Sequence, residues 1–564
     1  MKALLERCLT PWMAWRLAFL LLGVFCVCAF WMTNTWDTGF HLGRLELLAR
    51  HFQLGGGYPC RVYSEACSGY GYGSPMFYCD FFLVPFALLR AWGVPRILCY
   101  GAVNVLPPVV AFFVAWACAC WFGLSRREQL AYALGYSLAP SFMLMVLEYN
   151  QLGGAFSTAV LPAVVLPLLA LLTEEKLSKR KVLSGGVWLC GGLTVILLSH
   201  IISTAITVLF IVGVCMLRLF FLLRHPSRLA LLVVVASITL LVTAWFWMPF
   251  VEQYLAVETG VRGRGITGGR DLSAYAAKLP GLFFPPRTYN RVLRALTTTR
   301  LLREDSFLLW GWLFVPLALM AWRGLEKGIH WLQWKVWMRL SAFVCAVLLC
   351  TFFSETLLLV LRFTIGWIQF PSRLFPLWSA LSMLLFVKLA FRYGTRWTWT
   401  LLLLGLATVT TAAIGQWGIR HFVYGLHIAE TSPGIYTASE YTPQKWLQAG
   451  NKTPMTEITA DSSMVYGQTV CEPTEAVDLP RFYYKGYQAT IDGQDCPVEE
   501  SDIGTVRVRL SGKTGDLRVH YAGTLVQRVA NWISLGALVG LGVGGVVWLR
   551  FRCRSGQIAN LAQS

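Results

Sequence analysis

The chain has 564 residues, 56% of them hydrophobic and only 14% charged, and its mean hydropathy is +0.56. A soluble globular domain carries about 25% charged residues, and a single soluble core stops growing well short of this length, so composition excludes a water-soluble globule and predicts a polytopic membrane protein. The net charge of +19 does not point to nucleic acid, because Lys and Arg fall in short connections between apolar runs, where positive charge stays on the cytoplasmic side.

Lys2, Arg7 and Arg16 precede the first apolar run, Leu17 to Trp31. No small-residue cleavage site follows, so the run is expected to be an uncleaved first span. The basic clusters Arg126-Arg127, Lys176 to Lys181, Arg218 to Arg228, Arg323 to Arg339, Lys388 to Arg396 and Arg550 to Arg554 should all face the cytoplasm, and each neighbouring pair is then joined by two crossings. Between Arg16 and Arg126 three apolar runs compete for those two crossings. The shortest, Phe81 to Trp92, carries Pro85 and Arg90 and follows Asp80, so it should lie along or dip into the outer leaflet while Cys99 to Phe122 crosses. The apolar run from Lys181 to Arg218 would be about 55 Å long as one helix and is expected to be two spans joined at Ser199-His200. The total is about twelve spans with both ends inside. On the inner side, Trp331, Trp334 and Trp337 beside Lys327, Lys335 and Arg339 predict an interfacial anchoring helix.

The outer segments are then residues 33–98, the Glu148 to Gly154 turn, the His200 turn, 251–305, Arg362 to Arg373, and 416–528. The first is the most informative. Trp36-Asp-Thr-Gly-Phe-His-Leu-Gly-Arg44 starts a helix at the membrane surface, with Asp37, His41 and Arg44 at i, i+4 and i+7 on one face. Either three polar groups converge there on a lipid-borne substrate, or they form a solvated interfacial cap. Further on, Gly69-Tyr-Gly-Tyr-Gly73-Ser-Pro-Met-Phe-Tyr-Cys-Asp80 is either a sugar or headgroup platform or a tight turn with a tyrosine belt. Glu148, Asn150, His200 and Gln369-Phe-Pro-Ser-Arg373 lie at other outer edges. Apart from Glu355 and Lys388 the spans are nearly free of ionisable residues, which argues against an ion-driven transporter.

Gly263-Arg-Gly-Ile-Thr-Gly268 satisfies a dinucleotide fingerprint, but it sits in an outer loop rather than in a βαβ unit, so it reads as loop, with Arg262, Arg264 and Arg270 giving it anion affinity. Asn451-Lys-Thr453 is an acceptor sequon with no further support. Most cysteines lie in apolar runs and read as small hydrophobes; Cys60 with Cys67, and Cys471 with Cys496, fall in outer segments where an oxidising compartment permits disulfides. No cysteine pair has zinc-site spacing.

Residues 416–528 change character. Thr505-Val-Arg-Val-Arg-Leu510 and Leu517-Arg-Val-His-Tyr521 alternate with period two, Asp492-Gly493 signals a hairpin, and Ser511 to Gly515 is expected to close a second hairpin. A small extracytoplasmic β-sandwich of about 75 residues is expected, followed by a last span and tail over residues 529–564.

The order of these motifs, with Glu440-Tyr-Thr-Pro443 and Tyr484-Lys-Gly-Tyr-Gln-Ala-Thr-Ile-Asp-Gly493, resembles the bacterial YfhO-like membrane proteins and those catalogued as 6-pyruvoyl-tetrahydropterin synthase-related membrane proteins. The eight histidines are scattered and form no zinc triad of the soluble synthase. Such proteins are similar in layout to the GT-C membrane glycosyltransferases, so the resemblance implies that residues 1–415 form a mainly α, GT-C-like transmembrane domain. It also implies transfer of a sugar from a polyprenyl-phosphate carrier to an extracytoplasmic acceptor, with Asp37 as the acid of the first outer loop. Asp37 is followed by Thr38 and lacks the paired acid of several such families. Asp37 and His41 are the candidate catalytic residues. Arg44, Arg373, Gln369, Asp80, Glu148 and Asn150 are the candidate substrate and phosphate contacts, and no metal or cofactor is expected. The other readings are a non-catalytic envelope-assembly scaffold and a lipid-linked sugar flippase.

Overall fold

A computed structural model of the protein describes residues 11–31, 37–263, 334–353, 371–393, 440–449, 466–470 and 472–561. The described part is mainly helical. Its helices in chain order are α1 (Pro11–Phe30), α2 (Thr38–Gln53), α3 (Val84–Ala91), α4 (Arg96–Phe122), α5 (Arg126–Ser137), α6 (Leu152–Thr173), α7 (Lys179–Ser199), α8 (Ile201–Leu217), α9 (Pro226–Val242), α10 (Ala244–Ala256), α11 (Val336–Phe353), α12 (Phe375–Tyr393) and α13 (Leu525–Leu561), with short turns between them.

Five of these, α4, α6, α7, α12 and the Leu525–Gly545 part of α13, are long and apolar enough to cross a membrane, and two bent pairs bring the number to seven. The chain is therefore a multi-pass membrane protein. The expected twelve spans are not reached among the described residues: Ala18–Phe30, Ile201–Leu217 and Val336–Thr351 are shorter apolar helices. The expected crossings near residues 306–322 and 394–415 lie outside the described residues. Local chemistry sets several boundaries. Ser125 and Glu128 form a reciprocal capping box at the start of α5, Gly123 ends α4 with φ of 93°, and His200 both breaks the α7–α8 run and caps α8 by accepting from the Ser203 amide. The break between α7 and α8 thus falls where two joined spans were expected, although α8 is shorter than a full span. Helix α3 is too short to span, and the adjoining Trp92 is 78% exposed, as a surface-lying segment requires.

Helix α6 is buried along its whole span, with α4, α7, α11 and α12 packed around it. The expected separate tryptophan helix is corrected: Trp337 belongs to the first turn of α11 and is buried edge-on to Phe122, and Trp331 lies outside the described residues. Between α9 and α10 the chain bends by 74° at Thr243. The backbone groups freed there are satisfied by α13, where the Ser534 hydroxyl accepts from the Trp245 amide (2.9 Å) and donates to the Leu241 carbonyl (3.0 Å). Elsewhere α13 turns Trp532, Leu535, Leu538 and Val539 outward.

Near the C-terminus seven strands, β1 (Tyr466–Val470), β2 (Ala476–Phe482), β3 (Tyr487–Ile491), β4 (Gln494–Cys496), β5 (Val498–Glu500), β6 (Thr505–Arg509) and β7 (Gly515–Tyr521), form two antiparallel sheets ordered β1-β7-β3-β4 and β2-β6-β5. This is a small two-sheet region rather than the closed sandwich expected. Asp492-Gly493 makes the hairpin of β3 and β4, both residues at positive φ. The second expected hairpin is not formed: β6 pairs with β2 and β5 while β7 pairs with β1 and β3, so Ser511 to Gly515 carries the chain from one sheet to the other. Long-range pairing overrides the local turn signal. The region is docked on α10, where the buried Gln253 amide donates to the Lys485 carbonyl (2.6 Å) and accepts from its N–H (3.1 Å), as a strand neighbour would.

Candidate functional site

Asp37 stands at the N-cap of α2, yet its carboxylate makes no capping hydrogen bond. Its amide donates to the Tyr149 carbonyl (3.0 Å) and its own carbonyl accepts from the His41 amide (3.0 Å), so the backbone is fixed while the side chain is left for other work. Burial and then the charge of Glu440 push its carboxyl up to about 7, with Arg373 pulling the other way. Arg373 sits on the short turn Pro371–Leu374 leading into α12. Burial lowers its proton affinity to about 10, against the opposing influence of Tyr78, Asp37 and Tyr441, so it remains a cation at neutral pH.

Two turns further along α2, Arg44 anchors a second cluster. Arg44, buried, is ion-paired with Asp80 and also donates to the carbonyls of Tyr78 (3.1 Å) and Cys79 (2.8 Å), while Tyr63 donates to the other Asp80 oxygen. Its guanidinium lies 4.3 Å from the Tyr78 ring centre. Asp80 stays above the usual carboxylate range because burial outweighs Arg44 and Tyr63. Arg44 and Asp80, expected to meet a phosphate and an acceptor, are each other's partner in this geometry, and neither lines the cavity described below. A buried guanidinium needs a counter-charge, and Asp80 supplies it.

His41 is 1% exposed and held neutral, far below its usual range, by burial and then by Arg44 and His200. Its Nε2 lies 3.3 Å from the Leu152 amide and its Nδ1 3.2 Å from Arg44 Nη1. Both ring nitrogens thus face donors, and a neutral ring accepts at only one. His41 therefore links α2 to the start of α6, and of the three residues expected to share a face, His41 and Arg44 meet each other. Asn150, at φ of 50°, donates to Tyr100 Oη (2.8 Å) and Thr38 Oγ1 (3.3 Å) and so anchors the start of α2 to α4. Glu148 belongs to the π-helical turn Met145–Tyr149; its side chain, like the whole of Gln369, lies outside the described residues.

A cavity of about 70 Å³ is lined by Phe77, Tyr78, Cys79, Ser199, His200, Ile201, Ile202, Phe246 and Tyr441. Its walls divide by chemistry. Phe77, Ile201, Ile202 and Phe246 are apolar and come in part from the ends of α8 and α10, while Tyr78, His200 and Tyr441 are polar. His200 is pushed down to about 3 by burial and by Arg373, and its Nδ1 accepts from the Ser203 amide (3.2 Å), which leaves the proton on Nε2. It is a neutral donor on the wall. The rings of His41, Tyr78 and His200 follow one another at 5.7 and 5.9 Å. Tyr78 approaches Gly153 so closely that a Cβ there would lie 2.1 Å from its hydroxyl.

Reading the chain alone singled out Asp37 and Arg373, but not Tyr78, Glu440 or Tyr441 as site residues. The Glu440-Tyr-Thr-Pro443 order was visible as a motif, yet nothing local tied it to a helix four hundred residues earlier. The Gly-Tyr loop proves to be the clamp for the β-region: Tyr72 is buried, Tyr70 packs between Trp446 and Phe482, and Gly73 faces the ring of Tyr484. Its Gly69–Gly73 part thus serves as a packed turn, while Phe77, Tyr78 and Cys79 of the same stretch line the cavity. Cys60 and Cys67 are free thiols, as is Cys496, while Cys471 lies outside the described residues. Arg262, expected to bind anions, donates to the Tyr254 and Leu255 carbonyls at the end of α10; Arg264, Arg270 and the sequon Asn451 lie outside the described residues. Among the described residues no three His, Cys, Asp or Glu side chains gather as metal ligands.

No family model matches the chain, and no curated protein matches it. Among solved structures it is similar to the single-particle cryo-EM structure of the arabinofuranosyltransferase AftD from Mycobacteria, at 15% identity and a TM-score of 0.40 over 71% of this chain. The match covers 27% of that protein, so the chain spans about a quarter of its length.

Proposed function

We propose that the chain is an inverting membrane glycosyltransferase that moves a sugar from a polyprenyl-phosphate carrier to an acceptor hydroxyl at the outer face of the membrane. The observation that carries the reading is that Asp37, its carboxyl pushed up to about 7, feels the cation Arg373, which in turn acts on the neutral His200 in the wall of a cavity with one apolar side. The motif order, which resembles the YfhO-like proteins and, through them, the layout of GT-C transferases, supports it from the sequence side.

In this reading Asp37 takes the proton of the acceptor hydroxyl as its oxygen bonds to the anomeric carbon. The bond from that carbon to the phosphate oxygen breaks with its electron pair, and prenyl phosphate leaves. The leaving group is a stable anion, so the protein's contribution is a base poised near neutrality together with positive charge and N–H groups where charge grows; Arg373 and His200 have that role. Arg44, Asp80, His41 and Asn150 hold the scaffold. The apolar wall from α8 and α10 suits the first isoprene units of the carrier. The β-region and the outer ends of the spans lie extracytoplasmically, with both termini inside. The test is glycolipid and wall-polymer profiling of a deletion strain complemented with the intact chain or with Asp37→Asn. The expected outcome is a product missing from the deletion strain that the intact chain restores and the inserted, expressed variant does not. Restoration by Asp37→Asn would favour the scaffold reading.

A further inference from the structure

Arg61, in the segment between α2 and α3, ties that segment to two spans. Its Nη2 donates to the Trp245 carbonyl at the α9–α10 bend (3.1 Å) and to Asn531 Oδ1 of α13 (2.9 Å). Both acceptors are neutral, and among the described residues Arg61 makes no ion pair, whereas Arg44 has Asp80. The groups that act on its charge, Tyr521, Tyr58, Cys60 and Cys79, are phenols and thiols that burial pushes upward, so they are uncharged near neutrality. Of the five N–H donors of a guanidinium, two are spent on these bonds, while those on Nε and Nη1 are left over without being buried. A half-buried cation thus keeps open donors and finds no counter-charge among the described residues.

The surroundings are those of a membrane boundary. Tyr58 stands edge-on to Trp245 at 5.5 Å, Phe81 lies 6.3 Å from the same indole, and Trp532 follows Asn531 on α13. Tyr58, Phe81 and Trp532 are all exposed, the last at 72%, and aromatic rings collect where lipid headgroups meet hydrocarbon. Asn531 lies in the second turn of α13, about 9 Å along it, a depth of headgroups rather than of the bilayer midplane. Further along, Leu535, Leu538 and Val539 turn outward. We propose that Arg61 holds the phosphate of a membrane phospholipid whose acyl chains run along this outward face of α13. A guanidinium withdrawn from water needs an anion, and the described chain supplies none. A phosphate ester accepts charge-assisted hydrogen bonds from the remaining N–H groups. The apolar row beside the cation selects a lipid over a free anion, because a free anion gains nothing from Leu535 and Leu538.

The inference stands apart from the transferase reading and is tested without any sugar. The full chain, purified in detergent and stripped of lipid, is titrated by native mass spectrometry with phosphatidylglycerol, with diacylglycerol of the same acyl chains, and with inorganic phosphate. The unaltered chain should take up one phosphatidylglycerol ahead of further copies, and excess inorganic phosphate should displace it poorly. Arg61→Gln should weaken that first uptake about tenfold, the worth of one charge-assisted hydrogen bond, and Arg61→Lys, which keeps the charge, should weaken it less. A phosphatidylglycerol with a photoreactive headgroup, applied to the unaltered chain in nanodiscs, should label the peptides that hold Tyr58 and Trp532, a readout that needs no variant to fold. Equal uptake of diacylglycerol, uptake unchanged by Arg61→Gln, ready displacement by inorganic phosphate, or labelling that avoids both peptides overturns the inference.

Discussion

The sharpest consequence of the site concerns pH. With Asp37 pushed up to about 7, the ionised, base-competent fraction is about 10% at pH 6, about half at pH 7 and about 90% at pH 8. If proton removal from the acceptor limits the rate, transfer should rise about fivefold from pH 6 to 7 and less than twofold from 7 to 8, whereas a carboxylate in its ordinary range gives a flat profile there. Removing the base by Asp37→Asn should cost about 10²- to 10⁴-fold at every pH and abolish the rise. The sign for stability runs the other way. A carboxyl that binds its proton more tightly in the folded chain than in the unfolded one costs stability as pH rises from about 4 to about 7, and that deficit persists above. Asp37→Asn should therefore match the unaltered protein in thermal stability near pH 4 and exceed it at pH 8. The assay is transfer in right-side-out vesicles between about pH 5.5 and 8.5, using the product found missing in the deletion strain, alongside melting in detergent. A profile that is flat while Asp37→Asn is inactive would refute the assignment of Asp37 as the titrating base.

The Arg44–Asp80 pair should behave as architecture. Arg44→Met or Asp80→Leu alone leaves a buried charge unpaired and should cost about 3–5 kcal/mol, read as lost folded protein, while the double variant should recover much of that and retain transfer, which a phosphate-binding Arg44 would not permit. Gly153→Ala places a Cβ 2.1 Å from Tyr78 Oη and 2.5 Å from the Ser199 carbonyl, so it should destabilise by about 1–3 kcal/mol and lower transfer by displacing Tyr78 from the cavity wall, as melting and vesicle assays would report. Ser534→Ala should leave the Trp245 amide at the α9–α10 bend without its hydroxyl partner, costing roughly 1–2 kcal/mol, and Ser534→Thr should keep most of the stability.

What the sequence made legible was whatever depends on neighbours in the chain. The run from Lys181 to Arg218 is too long for one span, and a polar Ser-His pair near its middle is where a hairpin costs least, which is where α7 gives way to α8. Asp492-Gly493 reads directly as the turn of β3 and β4 because its two positive φ angles are a local demand. The α2 face was legible as a helix, since His41 and Arg44 do meet at 3.2 Å, but helical spacing says nothing about what approaches from outside the helix. Arg44 is claimed by Asp80, thirty-six residues on, and Asp37 is left to Arg373 and Glu440. The same limit explains the strands, where Ser511 to Gly515 looks like a hairpin turn until β7 finds β3 and β6 finds β2 across the region. It explains the Gly-Tyr loop as well, whose aromatics suit a sugar in isolation but are taken by Trp446, Phe482 and Tyr484 once the β-region docks. The acid proposed as the base is one whose local options were left unused: Asp37 declines the capping bond open to it, so its proton answers first to burial and then to the charges of Glu440 and Arg373 brought from distant segments, which sequence spacing does not reveal.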